Sequence, residues 1–287
     1  MITLFDFWRR RRWRRDEAAL AQLGKTRPAT VITGGSEGIG LELAREFAKR
    51  RDCVVLVARN QDKLAAVQQE LAGASAEIRT IALDMTEPDA CTHLLGWLKE
   101  QGLHVHELVN NAGIGLAGAY TTHTLEDIDR LVELNVIVPS RLIRAALPDM
   151  LLRGRGGILN IASLGGLTPG PYQAAYYASK AYVISLSRAL ACETRGMGLT
   201  ITCIAPGPVE TGFHRRMDAE RAFYRLLLPA LNPARVARSS LFWYACGRKL
   251  VIPGVFNTAL AIFLSFLPGL ITIPIVAFLL EPPKKSS

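Results

Sequence analysis

Short apolar runs alternate with longer segments of helical periodicity between residues 28 and 252, and this alternation constrains the fold more than any other feature. The runs are apolar throughout, which is typical of strands covered by helices on both faces of a parallel sheet. Right-handed crossovers between such strands produce a doubly wound α/β sheet. The predicted strands are 29–33, 53–58, 78–83, 105–110, 157–162, 199–204 and 249–252, and the predicted helices lie near 38–50, 61–72, 87–101, 125–152, 174–197 and 233–246.

The chain divides by composition into an N-terminal arm (1–27), one α/β domain (28–252) and an apolar C-terminal extension (253–287). The formal charge is +9, but the arm alone holds eight basic and three acidic residues. Nucleic-acid binding requires basic residues clustered on the fold itself, so we do not expect a nucleic-acid partner. The five cysteines include no Cys-x-x-Cys pair, which argues against a metal site or a disulfide framework.

Both ends of the chain have compositions suited to a membrane surface. Residues 4–15 combine Trp and Phe with six arginines, which is typical of an interfacial helix but equally of a solvated terminus. From Leu250 to Leu280 there is no Asp, Glu, Lys or Arg, although prolines interrupt the run. This extension either spans a bilayer with a kink, lies on or dips into one as a hairpin broken near Pro268, or packs against the body or a partner subunit. We expect membrane attachment with the domain on the cytoplasmic side, the alternative being a soluble cytoplasmic protein.

A glycine-rich turn, TGGSEGIG, follows the first predicted strand and opens a helix. Its glycines allow positive φ angles and let a pyrophosphate approach the backbone. The helix N-terminus then offers free N–H groups and a positive dipole end. This context predicts a dinucleotide site, and a purely structural turn is the alternative. The candidate cofactor-binding residues of the turn are Gly34, Ser36, Gly38, Ile39 and Gly40.

The second predicted strand ends at Arg59. A carboxylate at this position would accept hydrogen bonds from the adenosine ribose and repel a 2′-phosphate. The guanidinium of Arg59 is instead able to bind a phosphate through two hydrogen bonds, and Ser36 adds a hydroxyl. The residue favours NADP(H) over NAD(H), the alternative being a solvated arginine at a strand end.

The next two strand ends carry further candidates for cofactor binding. Asp84 is suited to accept from the adenine amine while Met85 packs against the ring edge, and Thr86 is suited to cap the following helix. Small residues after the fourth strand leave room for a flat cofactor, and the amides there can also tie neighbouring strands together. These residues are Asn111, Ala112 and Gly113.

Three residues form a candidate catalytic group. Ser163 follows the fifth strand, at the sheet edge where ligands of open α/β sheets bind. Tyr176 and Lys180 are four residues apart on one helix, so they share a face. Tyrosine has a reference pKa near 10, and a neighbouring ammonium favours the phenolate. This arrangement predicts a tyrosine that acts as general acid and base, although an isolated Tyr-x-x-x-Lys pair is usually an exposed helix pair.

Taken together in this order, the motifs resemble the short-chain dehydrogenase/reductase family over roughly residues 28–212. The matching segments are TGGSEGIG at 33–40, Asp84, NNAG at 110–113, Asn135, Ser163, YYASK at 176–180 and the run from Pro206 to Thr211. The resemblance implies a Rossmann fold with strand order 3-2-1-4-5-6-7 and an NADP(H)-dependent oxidoreductase of carbonyls and secondary alcohols. Its C-terminal extension is similar to those of membrane-associated steroid and lipid reductases, and Lys284-Lys285 looks like an endoplasmic-reticulum retrieval signal.

The resemblance also implies a role for each motif residue. Asn135 would hold a helix kink and a proton-relay water, Ser163 would position the carbonyl and Tyr176 would transfer the proton. Lys180 would stabilise the phenolate and bind the nicotinamide ribose, and Tyr177 is the adjacent competitor for the role of Tyr176. The residues that would flank the nicotinamide carboxamide are Pro206, Val209 and Thr211.

The expected substrate is an apolar, lipid- or steroid-like small molecule, because the segments beside the motifs are apolar. We predict a variable lid at 212–232, and a face of this lid packed on the core is the alternative. The residues predicted to line the other wall are Leu164, Leu167, Pro169, Pro171 and Tyr172. A homo-oligomer is compatible with the sequence. The alternative function is a membrane-tethered protein that senses NADP(H) with little turnover.

Overall fold

The computed structural model describes residues 24, 26–50, 53–217 and 230–281, and seven parallel strands form its central sheet. The strands are β1 (Arg27–Thr33), β2 (Cys53–Ala58), β3 (Ile78–Ala82), β4 (Leu103–Asn110), β5 (Gly156–Ile161), β6 (Leu199–Ile204) and β7 (Leu250–Val251). Their order across the sheet is β3-β2-β1-β4-β5-β6-β7. The predicted doubly wound Rossmann architecture is therefore confirmed.

Helices connect the strands, as the alternating pattern predicts. The helices of the described residues are α1 (Gly38–Phe47), α2 (Gln61–Glu70), α3 (Ala90–Glu100), α4 (Leu125–Val132), α5 (Val138–Arg153), α6 (Ala174–Glu193), α7 (Phe213–Arg216), α8 (Pro233–Ala245), α9 (Val255–Phe266) and α10 (Gly269–Leu280). Short 3₁₀ turns lie at Tyr120–Thr122 and Leu164–Leu167.

The sheet is buried on both faces, which explains why its strands are apolar throughout. Along β2, Val55 and Val57 point to a core formed with α3 and α5, whereas Val54 and Leu56 point to a core formed with α1, α2 and α8. Successive side chains of a strand point to opposite faces, so both sets of positions must be apolar. This packing holds the carboxyl ends of the strands at one edge of the sheet.

The structure corrects two local predictions. The segment 125–152 is not one regular helix, because a π-helical turn at Glu133–Ile137 separates α4 from α5. The helix kink that the resemblance implies at Asn135 falls within this turn. Thr86 does not cap the next helix, since α3 begins at Ala90 with Asp89 at its N-cap position. Thr86 instead donates to the Asp84 carboxylate through its N–H at 3.0 Å and its hydroxyl at 2.8 Å.

The apolar C-terminal extension forms α9 and α10, which are separated at Leu267-Pro268. Each helix has 12 residues. Across the described parts of the chain, no helix combines the length and the apolar character needed to cross a bilayer. The predicted interfacial segment 4–15, most of the predicted lid and the Lys284-Lys285 terminus lie outside the described residues.

Candidate active site

A cavity of about 840 Å³ opens along the carboxyl ends of the strands. Ligands of open α/β sheets bind at this edge. The predicted site residues on its wall are Gly34, Ser36, Gly38, Ile39, Arg59, Asp84, Met85, Asn111, Ala112, Gly113, Ser163, Tyr176, Lys180, Pro206, Val209 and Thr211. The predicted residues that do not line it are Gly40 and Asn135.

The glycine-rich turn has the backbone that its sequence predicts. Gly34 and Gly38 have φ angles of 66° and 59°, in a region that favours glycine. The Gly34 N–H donates to the Val57 carbonyl at 2.8 Å, which fastens the turn to β2. Helix α1 has Glu37 at its N-cap position without a capping side-chain hydrogen bond. The first turn of α1 therefore presents backbone N–H groups to the cavity, as an anion site requires.

Gly40 supports this turn from behind, outside the cavity wall. A Cβ atom at Gly40 would collide with the Gly34 carbonyl oxygen and with the Asn111 amide. Asn111 Nδ2 donates to the carbonyls of Thr33 and Gly34, each at 3.0 Å, and so joins the end of β4 to the glycine turn. The prediction that amides at this position tie strands together is confirmed for Asn111.

Opposite charges meet where β2 and β3 end. Arg59 Nη1 lies 3.5 Å from Asp84 Oδ2, and Arg130 Nη2 lies 3.3 Å from the same oxygen. Burial alone would raise the pKa of Asp84, but the Thr86 hydrogen bonds and the two arginines bring it below its ordinary value. Asp84 therefore holds Arg59 beside the cavity as an ionised carboxylate.

A second charged group at this end was not predicted from the sequence. Glu37 Oε2 accepts from Lys63 Nζ at 2.6 Å, and Glu37 Oε1 lies 2.5 Å from Arg216 Nη1. Burial would raise the pKa of Glu37, but the two cations bring it below its ordinary value. Lys63 and Arg216 both line the cavity. The available signal was the position of Lys63 in the first turn of the helix that follows Arg59.

Tyr176 and Lys180 lie side by side on α6 and both are buried. Lys180 Nζ lies 5.7 Å from the centroid of the Tyr176 ring and donates to the Ile161 carbonyl at 3.2 Å. Burial lowers the pKa of Lys180 to about 8. The Tyr177 ring packs instead against Gly165 and also contacts α10, so it forms part of the cavity wall.

Ser163 and Asn135 occupy different positions relative to the cavity. Ser163 lies at the end of β5, where its Oγ accepts from the Gly165 N–H at 3.1 Å. Asn135 lies in the π-helical turn and is buried behind the wall. Its Oδ1 accepts from the Ile114 N–H at 3.0 Å, and its Nδ2 donates to the Ile114 carbonyl at 2.8 Å and to Ser179 Oγ at 3.0 Å. The side chain of Asn135 thus joins the NNAG segment to α6.

The loop after β6 completes this side of the cavity. The Pro206 carbonyl accepts from the Leu164 N–H at 2.8 Å, which ties the loop to the segment after Ser163. Thr211 packs over Gly38, where an added Cβ would lie 3.1 Å from Thr211 Cγ2. Gln173 also lines the cavity and was not predicted: it is buried, and its Nε2 has no hydrogen-bond partner among the described residues. Its spacing of three residues before Tyr176 was the available signal.

The apolar end of the cavity is built from elements that sequence reasoning did not place there. Among the predicted wall residues, Leu164 and Leu167 line it, whereas Pro169, Pro171 and Tyr172 do not. The missing wall comes from both C-terminal helices. The lining residues of α9 and α10 are Leu260, Ala261, Leu264, Val276, Leu279 and Leu280. Within the described part of the predicted lid, Phe213 lines the cavity and packs against Tyr176 with ring centroids 5.6 Å apart.

A comparison with protein families decides the assignment. The family profile described as short chain dehydrogenase matches residues 28–222, which include the turn, the strand ends and the Tyr176–Lys180 pair. The chain belongs to the short-chain dehydrogenase family. It is therefore an oxidoreductase of the class that acts on CH–OH and C=O groups.

Individual relatives of this short-chain dehydrogenase agree with the assignment. An uncharacterised oxidoreductase of Staphylococcus saprophyticus is 33% identical, with 70% of this chain and 91% of the relative covered. The very-long-chain 3-oxoacyl-CoA reductase of Bos taurus is 36% identical, but the match covers 63% of this chain and only 59% of that protein. A short-chain dehydrogenase from Sphingobium yanoikuyae, solved in complex with NADPH, superimposes with a TM-score of 0.73 at 28% identity, covering 84% of this chain and 96% of that one.

The residues present in this dehydrogenase fit a nicotinamide dinucleotide. Side chains are absent from the turn at Gly34, Gly38 and Gly40, where added Cβ atoms would press against Asn111, Thr211 and the Gly34 carbonyl oxygen. Helix α1 has uncapped N–H groups in its first turn, and Lys180 is buried beside Tyr176. The cavity therefore combines backbone N–H groups suited to phosphates with a tyrosine–lysine pair suited to proton transfer.

Proposed function

We propose that this short-chain dehydrogenase uses NADP(H) to interconvert an apolar ketone and its secondary alcohol, with Tyr176 as general acid and base. One observation carries the proposal: Ser163, Tyr176 and Lys180 line the same cavity as the apolar side chains of α9 and α10. A carbonyl group held there would lie beside the proton donor, and such positioning is a main contribution of a preorganised site.

The side chains divide the proton transfer between them. Tyr176 donates its phenolic proton to the substrate oxygen during reduction and accepts it during oxidation. The ammonium of Lys180 stabilises the phenolate that remains. The Ser163 hydroxyl donates to the same substrate oxygen and orients it. When bound, the nicotinamide supplies or accepts the hydride.

Asn135 acts indirectly on the residues that transfer the proton. Its hydrogen bonds to Ile114 and Ser179 hold the NNAG segment against α6. A Cβ atom on Gly113 would lie 3.2 Å from Lys180 Nζ and 3.1 Å from Asn135 Oδ1. Asn135 therefore keeps the wall of the cavity next to Lys180, and we assign it a positioning role.

The preference for NADP(H) follows from the cations at the polar end. Arg59 and Lys63 both line the cavity beside the glycine turn, and Ser36 adds a hydroxyl there. A 2′-phosphate would exchange the carboxylate partners of these cations for charge-assisted hydrogen bonds to its own oxygens. The NADPH complex of the Sphingobium yanoikuyae relative supports this assignment.

The substrate class follows from the other end of the cavity. Its wall of leucine and valine side chains favours a hydrocarbon body, since transfer of apolar surface from water is favourable. The Nε2 of Gln173, which has no hydrogen-bond partner among the described residues, provides hydrogen-bond donors for a second polar group of the substrate. The name of the very-long-chain 3-oxoacyl-CoA reductase indicates a lipid carbonyl for one relative.

A panel of ketones that differ in hydrocarbon length tests this proposal. With NADPH as reductant, we expect kcat/KM to rise by about threefold to fourfold for each buried methylene until the cavity is filled, since one CH₂ contributes about 0.8 kcal/mol. NADPH consumption measures the rate. Tight NADPH binding without turnover of any ketone or alcohol would contradict the enzymatic proposal and favour a cofactor sensor.

The pH dependence tests the role of Lys180. Since burial lowers the pKa of Lys180 to about 8, we expect kcat/KM for ketone reduction to fall as the pH rises above that value. Above it the lysine loses its charge and no longer stabilises the tyrosine phenolate. The measurement is kcat/KM against pH at saturating NADPH. A rate that stays constant to about pH 10, the ordinary lysine range, would show that the lysine remains charged.

A further inference from the structure

The C-terminal helices α9 and α10 expose apolar side chains, whereas a water-facing helix of the same fold exposes charged ones. Helix α2 buries Leu64 and exposes charged side chains. In the C-terminal helices, Asn257 and Thr272 are buried, whereas Phe266 and Leu270 are 82% and 88% exposed. In water, buried apolar and exposed polar side chains would be more stable, because contiguous exposed apolar patches are unfavourable. These outer faces therefore require an apolar environment.

The exposed surface is too broad for one side of a helix. On α10, Leu270, Ile271, Ile273 and Ile275 are exposed. At 3.6 residues per turn, these four positions cover roughly 200° of the helix circumference. A flat protein interface contacts one side of a helix, whereas acyl chains and headgroups surround a half-immersed helix.

Cationic residues flank the two helices along the sequence. Arg248 and Lys249 precede the uncharged stretch. Glu281 follows it directly, and Lys284 and Lys285 come next, outside the described residues, so cations outnumber the one carboxylate. Of the first pair, both side chains are exposed. Lysine and arginine next to an apolar interfacial segment attract anionic headgroups while the apolar side chains enter the acyl boundary. The charge pattern thus matches an anionic bilayer surface.

We propose that α9 and α10 dock this enzyme on an anionic lipid bilayer, with their outer faces at the boundary between headgroups and acyl chains. The opposite sides of the same helices line the cavity through Leu260, Leu264 and Val276. One layer of helices therefore separates the bilayer from the cavity, and an apolar substrate enters across it without passing through water. This delivery rests on the proposed function, whereas the docking itself does not.

Vesicle binding by the full chain tests the docking. Phosphatidylcholine vesicles with and without phosphatidylserine are sedimented with the wild type and with the variant Phe263→Ser/Phe266→Ser/Leu270→Ser, the helix-pair variant. We expect binding to the anionic vesicles, and a loss of more than about tenfold in the variant, since interfacial binding scales with buried apolar area. All three residues are exposed and lie outside the cavity wall, so the variant should stay folded.

The matched control is Leu125→Ser/Phe242→Ser. These side chains are 74% and 61% exposed but lie on α4 and α8. We expect the control to bind vesicles like the wild type. Equal binding by the helix-pair variant, or no vesicle binding by the wild type, would overturn the docking. A variant that changes from dimer to monomer in solution while still binding vesicles would identify a second copy of the chain as the occupant.

Hydrogen exchange gives a second measurement that does not depend on substitution. We expect anionic vesicles to slow amide exchange within 255–280 and to leave 61–70 unchanged; uniform or absent protection would contradict the proposal.

Delivery is tested with two ketones. The helix-pair variant should reduce a short, water-soluble ketone like the wild type and a vesicle-embedded long-chain ketone more slowly. Failure of both ketones with the wild type would refute the proposed function, while vesicle binding would still decide the docking.

Discussion

Replacement of Tyr176 by phenylalanine is expected to lower kcat/KM for ketone reduction by about a thousandfold, within the range that general acid–base catalysis contributes. The substitution removes one hydroxyl and keeps the ring that packs against Phe213. The affinity for NADPH should therefore change by less than about threefold, because the glycine turn and the first turn of α1 are untouched. Steady-state kinetics and NADPH fluorescence titration measure the two quantities separately.

Tyr177→Phe is the matched control, since it removes the same atom from the neighbouring residue. The Tyr177 ring packs against Gly165 and contacts α10, while Lys180 Nζ faces the ring of Tyr176. We expect Tyr177→Phe to keep most of the activity. If Tyr177→Phe abolished turnover and Tyr176→Phe did not, the proton-transferring role would pass to Tyr177.

Replacement of Arg59 by aspartate is expected to lower the ratio of kcat/KM with NADPH to kcat/KM with NADH by about a hundredfold. A hydrogen bond to a charged group contributes roughly 1.5–3 kcal/mol, and about 1.4 kcal/mol corresponds to a factor of ten. The new carboxylate also repels a 2′-phosphate and accepts from a ribose hydroxyl. The measurement is kcat/KM for each cofactor with one fixed ketone.

Arg130→Asp separates this effect from the loss of an ion pair. Arg130 contacts the same Asp84 oxygen as Arg59, and its substitution changes the net charge equally. Arg130 is not among the described residues that line the cavity. We expect Arg130→Asp to leave the cofactor ratio nearly unchanged. An unchanged ratio in Arg59→Asp would remove Arg59 from the 2′-phosphate site and leave Lys63 as the next residue to test.

The strands and the motif residues were predictable because their signals are local. The apolar run of β2 is set by burial on both faces, and the φ angles of Gly34 and Gly38 are set by the turn that they form. The carboxyl ends of parallel strands share one edge, so Arg59 and Asp84 could both be assigned to the cofactor site from the sequence.

Other features depended on contacts that no local pattern contains. The helical periodicity of 125–152 does not reveal the π-helical turn at Asn135, which is held by hydrogen bonds to residues 21 and 44 positions away. The predicted cap at Thr86 failed because the Asp84 carboxylate engages Thr86 in a turn before α3 begins. The pairing of Lys63 with Glu37 joins two elements 26 residues apart.

By itself, the sequence determined the strand pattern, the glycine turn and the serine, tyrosine and lysine of the cavity, because hydrophobic period, turn geometry and helix spacing act over a few residues. Only the tertiary structure decided that α9 and α10 close the cavity, since apolar residues pack against whichever apolar surface the chain brings near. It also decided which side of these helices faces the substrate and which side remains exposed. That choice depends on how the helices are oriented against the sheet, and the uniform apolar character of the segment carries no information about orientation.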